Sequence, residues 1–284
     1  MIQDIFPYKL DNGYRPDAVP KASDYVLCLE GNLILLSKES MEFPKVSDMK
    51  ALKPKEAEPY RYLFSVGEER YFLWISDLKE LPEGFWFVSI RDVRGEDKIP
   101  KYRQFAAMTG KHLADWYRDS QFCGRCGNKM QHSPKERAMC CNVCDYTAYP
   151  RIMPAVIVGV VNGSKLLLTR YRTGFAHNAL VAGFTEIGET LEETVHREVM
   201  EETGLKVKNI RYYKSQPWGL ANDILMGFFC DVDGDDTIKM DEEELKMACF
   251  TEREDIVLQP DDASLTGEMM KVFKENRNER KRTE

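Results

Sequence analysis

The feature that most constrains this chain is a segment of mixed acidic and apolar residues between Gly183 and Leu205. Thr190, followed three residues later by Glu193, is typical of the first turn of a helix, and Gly204 suits the left-handed position that ends one. The segment therefore predicts a loop, then one amphipathic helix, then a glycine stop.

The acidic residues of this predicted helix lie on the face that should be buried. At roughly 100° per residue, the apolar residues form one core-facing stripe: Leu191, Val195 and Val199. Glu198 and Glu202 project onto that stripe, and Glu201 lies roughly 80° to one side. Two carboxylates one turn apart on a buried stripe repel each other and lose hydration, and a bound divalent cation would offset both costs. The alternative, a solvated acidic helix face, is disfavoured because the acids lie on the wrong side.

This segment resembles the Nudix box, and every fixed position of that signature is filled: Gly183, Glu189, Arg197, Glu198, Glu201, Glu202 and Gly204. The resemblance implies a hydrolase in which Glu198, Glu201 and Glu202 hold Mg²⁺ or Mn²⁺. It also implies that Arg197 braces the box by pairing with a glutamate, and Glu189 is the expected partner.

A second acidic run lies downstream, where Glu244-Leu-Lys-Met-Ala248 is similar to the Glu-Leu-x-x-Ala pattern of the same family. The resemblance makes Glu244 a further metal ligand or the general base. A charged surface loop is the alternative for this run. The sequence leaves open which glutamate activates the water.

Four of the eight cysteines form two Cys-x-x-Cys pairs, Cys123 with Cys126 and Cys141 with Cys144. In a chain expected to be cytosolic, this spacing favours a structural, tetrahedral zinc site over disulfides. Cys140 adjoins the second pair and could shift the register, but Cys141 gives the matched spacing. The other three thiols lie among apolar residues and are predicted to be buried: Cys28, Cys230 and Cys249.

Composition narrows the function classes. The formal net charge of −7 disfavours a general nucleic-acid-binding protein, which would normally be basic. The longest apolar run, Ala155–Val161, is far too short to span a bilayer, and the first residues lack the pattern of a signal peptide. We therefore expect a soluble, cytoplasmic protein without a membrane partner.

The chain divides by pattern into three predicted domains, which are 1–118, 119–150 and 151–284. The first alternates short β-like runs with turns, with hairpins predicted over 25–36 around Gly31 and over 62–75 around Gly67, and closes with a helix over 105–117. The second is the zinc ribbon, with a hairpin predicted between its two cysteine pairs, and the third is mixed α/β. A last amphipathic helix is predicted to begin near Ser264. The class is α+β, and the resemblance implies a Nudix α/β/α sandwich with a mixed sheet in the third domain.

A four-cysteine ribbon ahead of the box, together with Ser215-Gln-Pro-Trp218 after it, resembles the NADH pyrophosphatase family. The resemblance implies cleavage of NADH or NAD⁺ to nicotinamide mononucleotide and AMP. It also implies a homodimer and, in some members, removal of NAD caps from RNA 5′ ends.

Carried over to this chain, the family's pattern makes the Ala182 backbone carbonyl a metal ligand. Phe184 and Tyr149 would sandwich the nicotinamide or base ring, and Gln216 and Trp218 would shape the dinucleotide pocket. Ordinary core aromatics are the alternative for Phe184 and Trp218. Three further positions are expected to contact substrate: Arg91, Glu136 and Thr266.

One departure bears on specificity. After Trp218 the family continues Pro-Phe-Pro, whereas this chain has Gly219-Leu-Ala221, without the two stiffening prolines and one aromatic ring. A broader Nudix hydrolase acting on ADP-ribose or dinucleoside polyphosphates is therefore a second hypothesis. A third is a zinc-ribbon binding protein on an inactive hydrolase scaffold, which the intact box disfavours.

Overall fold

The structure is a computed structural model that describes residues 1–95, 98–174 and 176–276. The last eight residues of the predicted third domain, 277–284, lie outside the described residues.

The chain forms two compact units. The N-terminal unit contains the described residues of 2–151 together with 219–222, and the box unit contains Met1 and the described residues of 152–218 and 223–276. The three-domain division made from the sequence stays a prediction.

The N-terminal unit begins with two small sheets and a long helix. Their bounds are β1 (Leu10–Asp11), β2 (Tyr25–Leu27), β3 (Leu29–Glu30), β4 (Leu33–Ser37), β5 (Tyr60–Val66), β6 (Glu69–Trp74), β7 (Phe85–Ser89) and α1 (Lys101–Asp119). The sheet orders are β1-β5-β6-β2 and β3-β4-β7. Two predicted hairpins are confirmed, because β3 pairs with β4 and β5 with β6 in antiparallel register. The predicted helix is also confirmed, and it starts four residues earlier, directly after Pro100.

The cysteine-rich segment of the same unit folds into three strands of two residues each. They are β8 (Gln131–His132), β9 (Met139–Cys140) and β10 (Thr147–Ala148), in the order β10-β9-β8. The predicted hairpin between the two cysteine pairs is formed by β8 and β9.

The described residues of the box unit form one six-stranded sheet, two α-helices and one short 3-10 helix, Arg253–Asp255. Their bounds are β11 (Met153–Asn162), β12 (Lys165–Tyr171), β13 (Val181–Phe184), α2 (Leu191–Thr203), β14 (Val207–Trp218), β15 (Asp223–Val232), β16 (Leu245–Glu252) and α3 (Leu265–Lys274). The order is β14-β15-β11-β12-β16, and β13 pairs with β11. The β11–β15 pair is parallel and the other pairs are antiparallel, so the sheet is mixed.

The helices of the box unit cover opposite faces of this sheet. Alternate residues of β11 enter two different cores, as the period of two in a strand requires. Val156 and Val158 pack with Val195 of α2, whereas Ala155 and Ile157 pack in the core that holds α3. This arrangement confirms the α+β class and the predicted sandwich.

The prediction for the unpaired thiols is correct for Cys28 and Cys230, which are buried, and wrong for Cys249, which is exposed. Cys249 lies on β16, the last strand in the sheet order, at a position that faces solvent. Among the described residues, none of the helices combines the length and the apolar character needed to cross a membrane.

Candidate active site and metal centre

Helix α2 is positioned by its two ends. The Thr190 side chain accepts a hydrogen bond from the Glu193 backbone N–H at 3.2 Å, and the Glu193 carboxylate accepts one from the Thr190 N–H at 2.7 Å. This is the predicted capping box. At the other end Gly204 adopts the left-handed conformation, with φ of 69°, and its N–H donates to the Met200 carbonyl at 2.8 Å. The helix is thereby fixed in length and direction.

The box glutamates differ strongly in exposure. Glu202 is only 2% exposed, Glu198 is partly buried and Glu201 is exposed. Glu202 Oε1 accepts a hydrogen bond from the Tyr171 hydroxyl at 3.3 Å, whereas Glu202 Oε2 is buried without a hydrogen-bond partner in the described parts of the chain. An unpaired buried carboxylate oxygen is costly, which fits a group that binds a cation. The sequence did not single out Tyr171.

Burial and mutual repulsion raise the pKa values of Glu198 and Glu202. Burial raises the pKa of Glu202 to about 8; the Ala182 N–H opposes this shift, while the Glu198 and Glu244 carboxylates add to it. Burial also raises the pKa of Glu198, against the ion pair with Arg197. The negative charges are therefore held where they repel each other, and a divalent cation would relieve that repulsion.

Glycine at position 183 is a steric requirement of this site. A Cβ atom on Gly183 would lie 1.9 Å from the Glu198 carboxyl carbon and 2.0 Å and 2.2 Å from its two oxygens. The backbone of β13 therefore passes directly against the Glu198 carboxylate, and any side chain at 183 would displace it.

Arg197 connects three carboxylates and the backbone of β13. It pairs with Glu189 through two parallel contacts, Nε to Oε1 at 2.6 Å and Nη2 to Oε2 at 2.8 Å. Its Nη1 contacts Glu198 at 2.7 Å and Glu201 at 3.0 Å, and its Nη2 donates to the Phe184 carbonyl at 2.8 Å. The hydrogen bond from Arg197 is the main cause that lowers the pKa of Glu189 to about 2. The planar guanidinium thus fixes the orientation of Glu198.

Glu244 lies at the same site although it comes from a distant part of the chain. It is exposed and immediately precedes β16, whose Leu245 pairs with Tyr171 of β12. Its carboxylate raises the pKa of both Glu198 and Glu202. Strand pairing therefore brings Glu244 to the box glutamates, and the choice between metal ligand and general base stays open.

These residues fit a divalent cation by the chemistry of their oxygens. The buried, unpaired Glu202 oxygen and the adjacent Glu198 carboxylate are ligands of the kind that Mg²⁺ and Mn²⁺ prefer. The four cysteines are the one group of three or more candidate metal ligands that lie close together in the described ranges, with their sulfur atoms within 4.8 Å of one another. The box carboxylates are more widely spaced.

The cysteine cluster contains Cys123, Cys126, Cys141 and Cys144. The sulfur atoms of Cys123 and Cys144 lie 3.5 Å apart, as do those of Cys126 and Cys141. A set of four converging thiols fits tetrahedral zinc and leaves no position for substrate. Hydrogen bonds from Asn128 are the main cause that lowers the pKa of Cys126 to about 6, which favours the metal-binding thiolate.

The register of the second cysteine pair is the predicted one. Cys140 lies on β9 and is outside the cluster; its sulfur accepts a contact from the Thr147 hydroxyl at 4.0 Å.

In the box unit, the residues predicted to contact dinucleotide are spread over β13, β14 and α3. Phe184 is 49% exposed on β13, Trp218 is partly buried at the end of β14 and Thr266 lies in the first turn of α3. Gln216 is fully buried, donates to the Ala263 carbonyl at 2.8 Å and accepts from the Leu265 N–H at 2.7 Å. The Gln216 side chain therefore holds the start of α3.

The remaining predicted contacts belong to the N-terminal unit. Tyr149 is 56% exposed, and its hydroxyl donates to Glu136 at 3.0 Å. Arg91 is exposed just after β7, where its N–H donates to the Ser89 hydroxyl at 3.2 Å. Their roles toward a dinucleotide stay predictions.

The altered loop after Trp218 belongs to the N-terminal unit as well. A Cβ atom on Gly219 would lie 2.0 Å from the Met108 carbonyl oxygen of α1, so this position must be glycine. Asn222 donates to Asp115 of the same helix at 3.3 Å. The loop lacks the family's prolines, and these contacts with α1 hold it.

Two family models match the chain. Residues 151–273 match the NUDIX domain, and residues 118–149 match the NADH pyrophosphatase zinc ribbon domain. The two matches cover the box and the cysteine cluster respectively. The cofactors of such domains are a divalent cation such as Mg²⁺ or Mn²⁺ and a structural Zn²⁺.

Curated relatives carry the name NAD-capped RNA hydrolase NudC. The protein of Erwinia tasmaniensis is 46% identical over 142 residues, which are 49% of this chain and 53% of that protein. A protein of Klebsiella pneumoniae is 43% identical over 176 residues, which are 61% of this chain and 66% of that protein. The chain thus spans between about half and two thirds of the length of these relatives.

Among solved structures, a crystal structure of a NUDIX hydrolase from Nitrosomonas europaea aligns with 55% of this chain and 92% of that chain. The sequence identity is 21% and the TM-score is 0.49.

Proposed function

We propose that this chain, a Nudix protein with the zinc ribbon of the NADH pyrophosphatases, hydrolyses the pyrophosphate bond of NADH or NAD⁺ to nicotinamide mononucleotide and AMP. The observation that carries the proposal is Glu202, buried with an unpaired oxygen beside Glu198 in a box whose fixed positions are all filled. The names of the curated relatives support removal of NAD caps from RNA as a second reaction of the same site.

The residues that would hold the catalytic cations are Glu198, Glu201, Glu202, Glu244 and the Ala182 carbonyl. When bound, such cations neutralise diphosphate oxygens and lower the pKa of a coordinated water. Arg197 keeps the Glu198 carboxylate in place through its own pair with Glu189.

In the proposed reaction a water oxygen forms a bond to one phosphorus, and the bond from that phosphorus to the bridging oxygen breaks. The bridging oxygen leaves with the other phosphate, and a carboxylate of the site accepts the proton of the water. Glu244, Glu198 and Glu202 are the candidates for that base.

Aromatic and polar residues would recognise the dinucleotide. The exposed rings of Phe184 and Tyr149 offer faces for the nicotinamide or adenine ring. Trp218 would contact the dinucleotide, and Gln216 would act indirectly by holding the start of α3. The proposal includes substrate contacts at Arg91, Glu136 and Thr266, a homodimer and a cytoplasmic location.

A broader Nudix specificity is the second candidate, and the loop after Trp218 is the observation that favours it. Gly219 and Leu220 replace a proline and a phenylalanine of the family pattern, so the loop offers one aromatic ring fewer. ADP-ribose and dinucleoside polyphosphates are the alternative substrates.

The test is steady-state hydrolysis of NADH, NAD⁺, ADP-ribose, diadenosine polyphosphates and an NAD-capped RNA, with Mg²⁺ or Mn²⁺ and chromatographic identification of products. A clear lead of NADH in kcat/KM, with AMP and reduced nicotinamide mononucleotide as products, supports the proposal. Equal rates on all of these substrates favour the enzyme of broader specificity. Hydrolysis of none of the substrates contradicts both candidate functions. Sedimentation of a 32.9 kDa species at micromolar concentration would contradict the dimer.

A further inference from the structure

A second cluster of functional groups lies in the N-terminal unit, apart from the box. Its members come from β5, the loop after β1, the end of α1 and the cysteine-rich segment, and we name it the Arg61 recess: Arg61, Tyr14, Tyr117, His132 and Arg137. The Arg61 guanidinium carbon lies 5.3 Å from the centre of the Tyr117 ring, and the Tyr117 and His132 ring centres are 5.3 Å apart. The Arg137 guanidinium carbon lies 5.6 Å from the centre of the Tyr14 ring.

Arg61 is a partly buried cation without a counter-ion. Across the described residues its guanidinium forms no hydrogen bond and no ion pair, although it carries five donors. Burial lowers its pKa, and the Glu58 carboxylate opposes this shift less than Tyr117 and Tyr14 do. A buried, unpaired guanidinium is costly, and a bound anion would offset that cost.

Arg137 brings a second positive charge to the recess. Its Nη2 donates to the Leu63 carbonyl at 2.8 Å and to the Asn12 side-chain oxygen at 3.2 Å. Its Nη1 is buried and has no hydrogen-bond partner in the described segments, and no carboxylate there pairs with this guanidinium. The two arginines therefore place two positive charges in one recess with no carboxylate bound to either.

Two further polar atoms of the recess are unpaired. Tyr117 is only 6% exposed, and no hydrogen bond of ordinary geometry reaches its hydroxyl within the described ranges. Burial raises the pKa of this hydroxyl, and the nearby Arg137 guanidinium opposes that shift. His132 Nδ1 is likewise without a partner there. The Tyr14 hydroxyl, in contrast, donates to the Ser133 carbonyl at 2.7 Å. The unpaired atoms are one hydroxyl, one imidazole nitrogen and guanidinium N–H groups, which together can donate to several oxygens of one anion.

We propose that the Arg61 recess binds a phosphate group, either as inorganic phosphate or as the phosphate of a nucleotide. Guanidinium groups bind phosphate through two parallel hydrogen bonds, and two of them suit a dianion better than a monovalent carboxylate. The Tyr117 hydroxyl and a ring N–H of His132 would donate to the remaining oxygens. The site is independent of the box carboxylates and of the proposed hydrolysis.

The test uses the zinc-containing chain of 284 residues and NMR of its histidine rings, since this chain has only four histidines. Inorganic phosphate is titrated at constant ionic strength, and AMP is titrated in a parallel arm. We expect a saturable shift of the His132 ring signals, while the other three stay unchanged in the phosphate arm: His112, His177 and His196.

The substitution Arg61→Gln should weaken phosphate binding at least about tenfold, as expected for loss of a charge-assisted pair. Arg15→Gln is the matched control, because Arg15 is exposed and already paired with Asp11. If Arg61→Gln fails to fold, Arg61→Lys keeps the charge and should still weaken binding several-fold, since it loses the planar fork. A His132 shift with AMP alone would identify a nucleotide as the source.

A linear, non-saturating His132 response to both ligands would overturn the proposal. So would equal affinities in the wild type, Arg61→Gln or Arg61→Lys, and Arg15→Gln.

Discussion

The cysteine cluster and the box carboxylates, the two metal sites proposed here, are built in opposite ways. In the cluster, four identical ligands converge within 4.8 Å of one another. In the box, Arg197 holds Glu198 and Glu201 in ion pairs, while Glu202 is buried with one oxygen unpaired. The cysteine ligands form a closed, preassembled set, whereas the carboxylates form an open set whose members differ in burial and in ion pairing.

The difference follows from what each site must do. A structural metal needs every position filled by the protein, whereas a catalytic metal must keep positions for substrate and water. The box therefore retains carboxylates that the fold does not satisfy, at a cost in stability, and the cluster does not.

The largest expected effect comes from breaking the closed site. Cys141→Ser should release zinc and destabilise the three strands around it, because strands of two residues cannot persist alone and structural zinc contributes on the order of 10 kcal/mol. Metal analysis and thermal unfolding measure this, with Cys249→Ser, an exposed thiol outside the cluster, as the control. Wild-type zinc content in Cys141→Ser would contradict the assignment.

In the open site, Glu202→Gln should have opposite effects on activity and stability. Turnover should fall more than about 100-fold, since even loss of an outer partner of a metal ligand costs about 10–100-fold. The pKa of Glu202 is raised from 4.5 to about 8. The protonated carboxyl is therefore favoured in the folded state, and this stabilisation is lost as the pH rises from 4.5 to about 8. The substitution should therefore stabilise the protein at pH 7 by roughly 2 kcal/mol without added Mg²⁺ or Mn²⁺.

The control for this pair of effects is Glu192→Gln, an exposed glutamate in the first turn of the same helix. It should change neither turnover nor stability appreciably. If Glu202→Gln turned over NADH at the wild-type rate, the open-site assignment would be wrong.

Arg197→Lys should reduce activity by about 10–100-fold, because lysine keeps the charge but cannot hold Glu189 and Glu198 with one planar group. The loss should appear mainly as weaker Mg²⁺ binding, measured as a higher Mg²⁺ concentration at half-maximal rate. Arg211→Lys is the matched control. Arg211 also pairs with a carboxylate, Asp231, through two hydrogen bonds of 2.9 Å and 3.0 Å, and neither residue belongs to the box. Equal losses in both variants would argue for a general packing defect.

The smallest expected effect concerns the pH dependence of the free energy of unfolding. His132, on β8 of the cysteine-rich segment, should favour the folded state as the pH rises, whereas Glu202 of the box should disfavour it. Burial, then Arg61, lowers the pKa of His132 from 6.5 to about 4, so its contribution to stability is complete above pH 6.5 and is lost as the pH falls toward 4. After a discount for partial exposure, this loss is about 2 kcal/mol. Urea unfolding between pH 4 and 7 should show a shallower acid loss in His132→Gln than in the wild type, and identical slopes would refute it.

The sequence predicted the local part of this contrast well. The ends of α2, the shared stripe of Glu198 and Glu202 and the two cysteine pairs depend on residues a few positions apart, so periodicity and spacing suffice. The hairpin partners around Gly31 and Gly67 were predicted for the same reason.

Contacts set by strand register could not be predicted in this way. The hydrogen bond from Tyr171 to Glu202 depends on where β12 ends, and Gln216 is bonded to residues almost fifty positions away at the start of α3. Gly219 and Met108, which approach each other closely, are more than a hundred positions apart in the sequence. Cys249 was placed in the core because β16 was not predicted as the last strand of the sheet.

The most direct test of the central contrast is the rate of NADH hydrolysis as a function of added Mg²⁺, with zinc content measured on the same samples. We expect one zinc per chain at every point, a negligible rate without added Mg²⁺ or Mn²⁺, and a saturable rise in rate as Mg²⁺ is added. A rate that follows zinc content and does not respond to Mg²⁺ would contradict this expectation, because the closed site would then be the catalytic one.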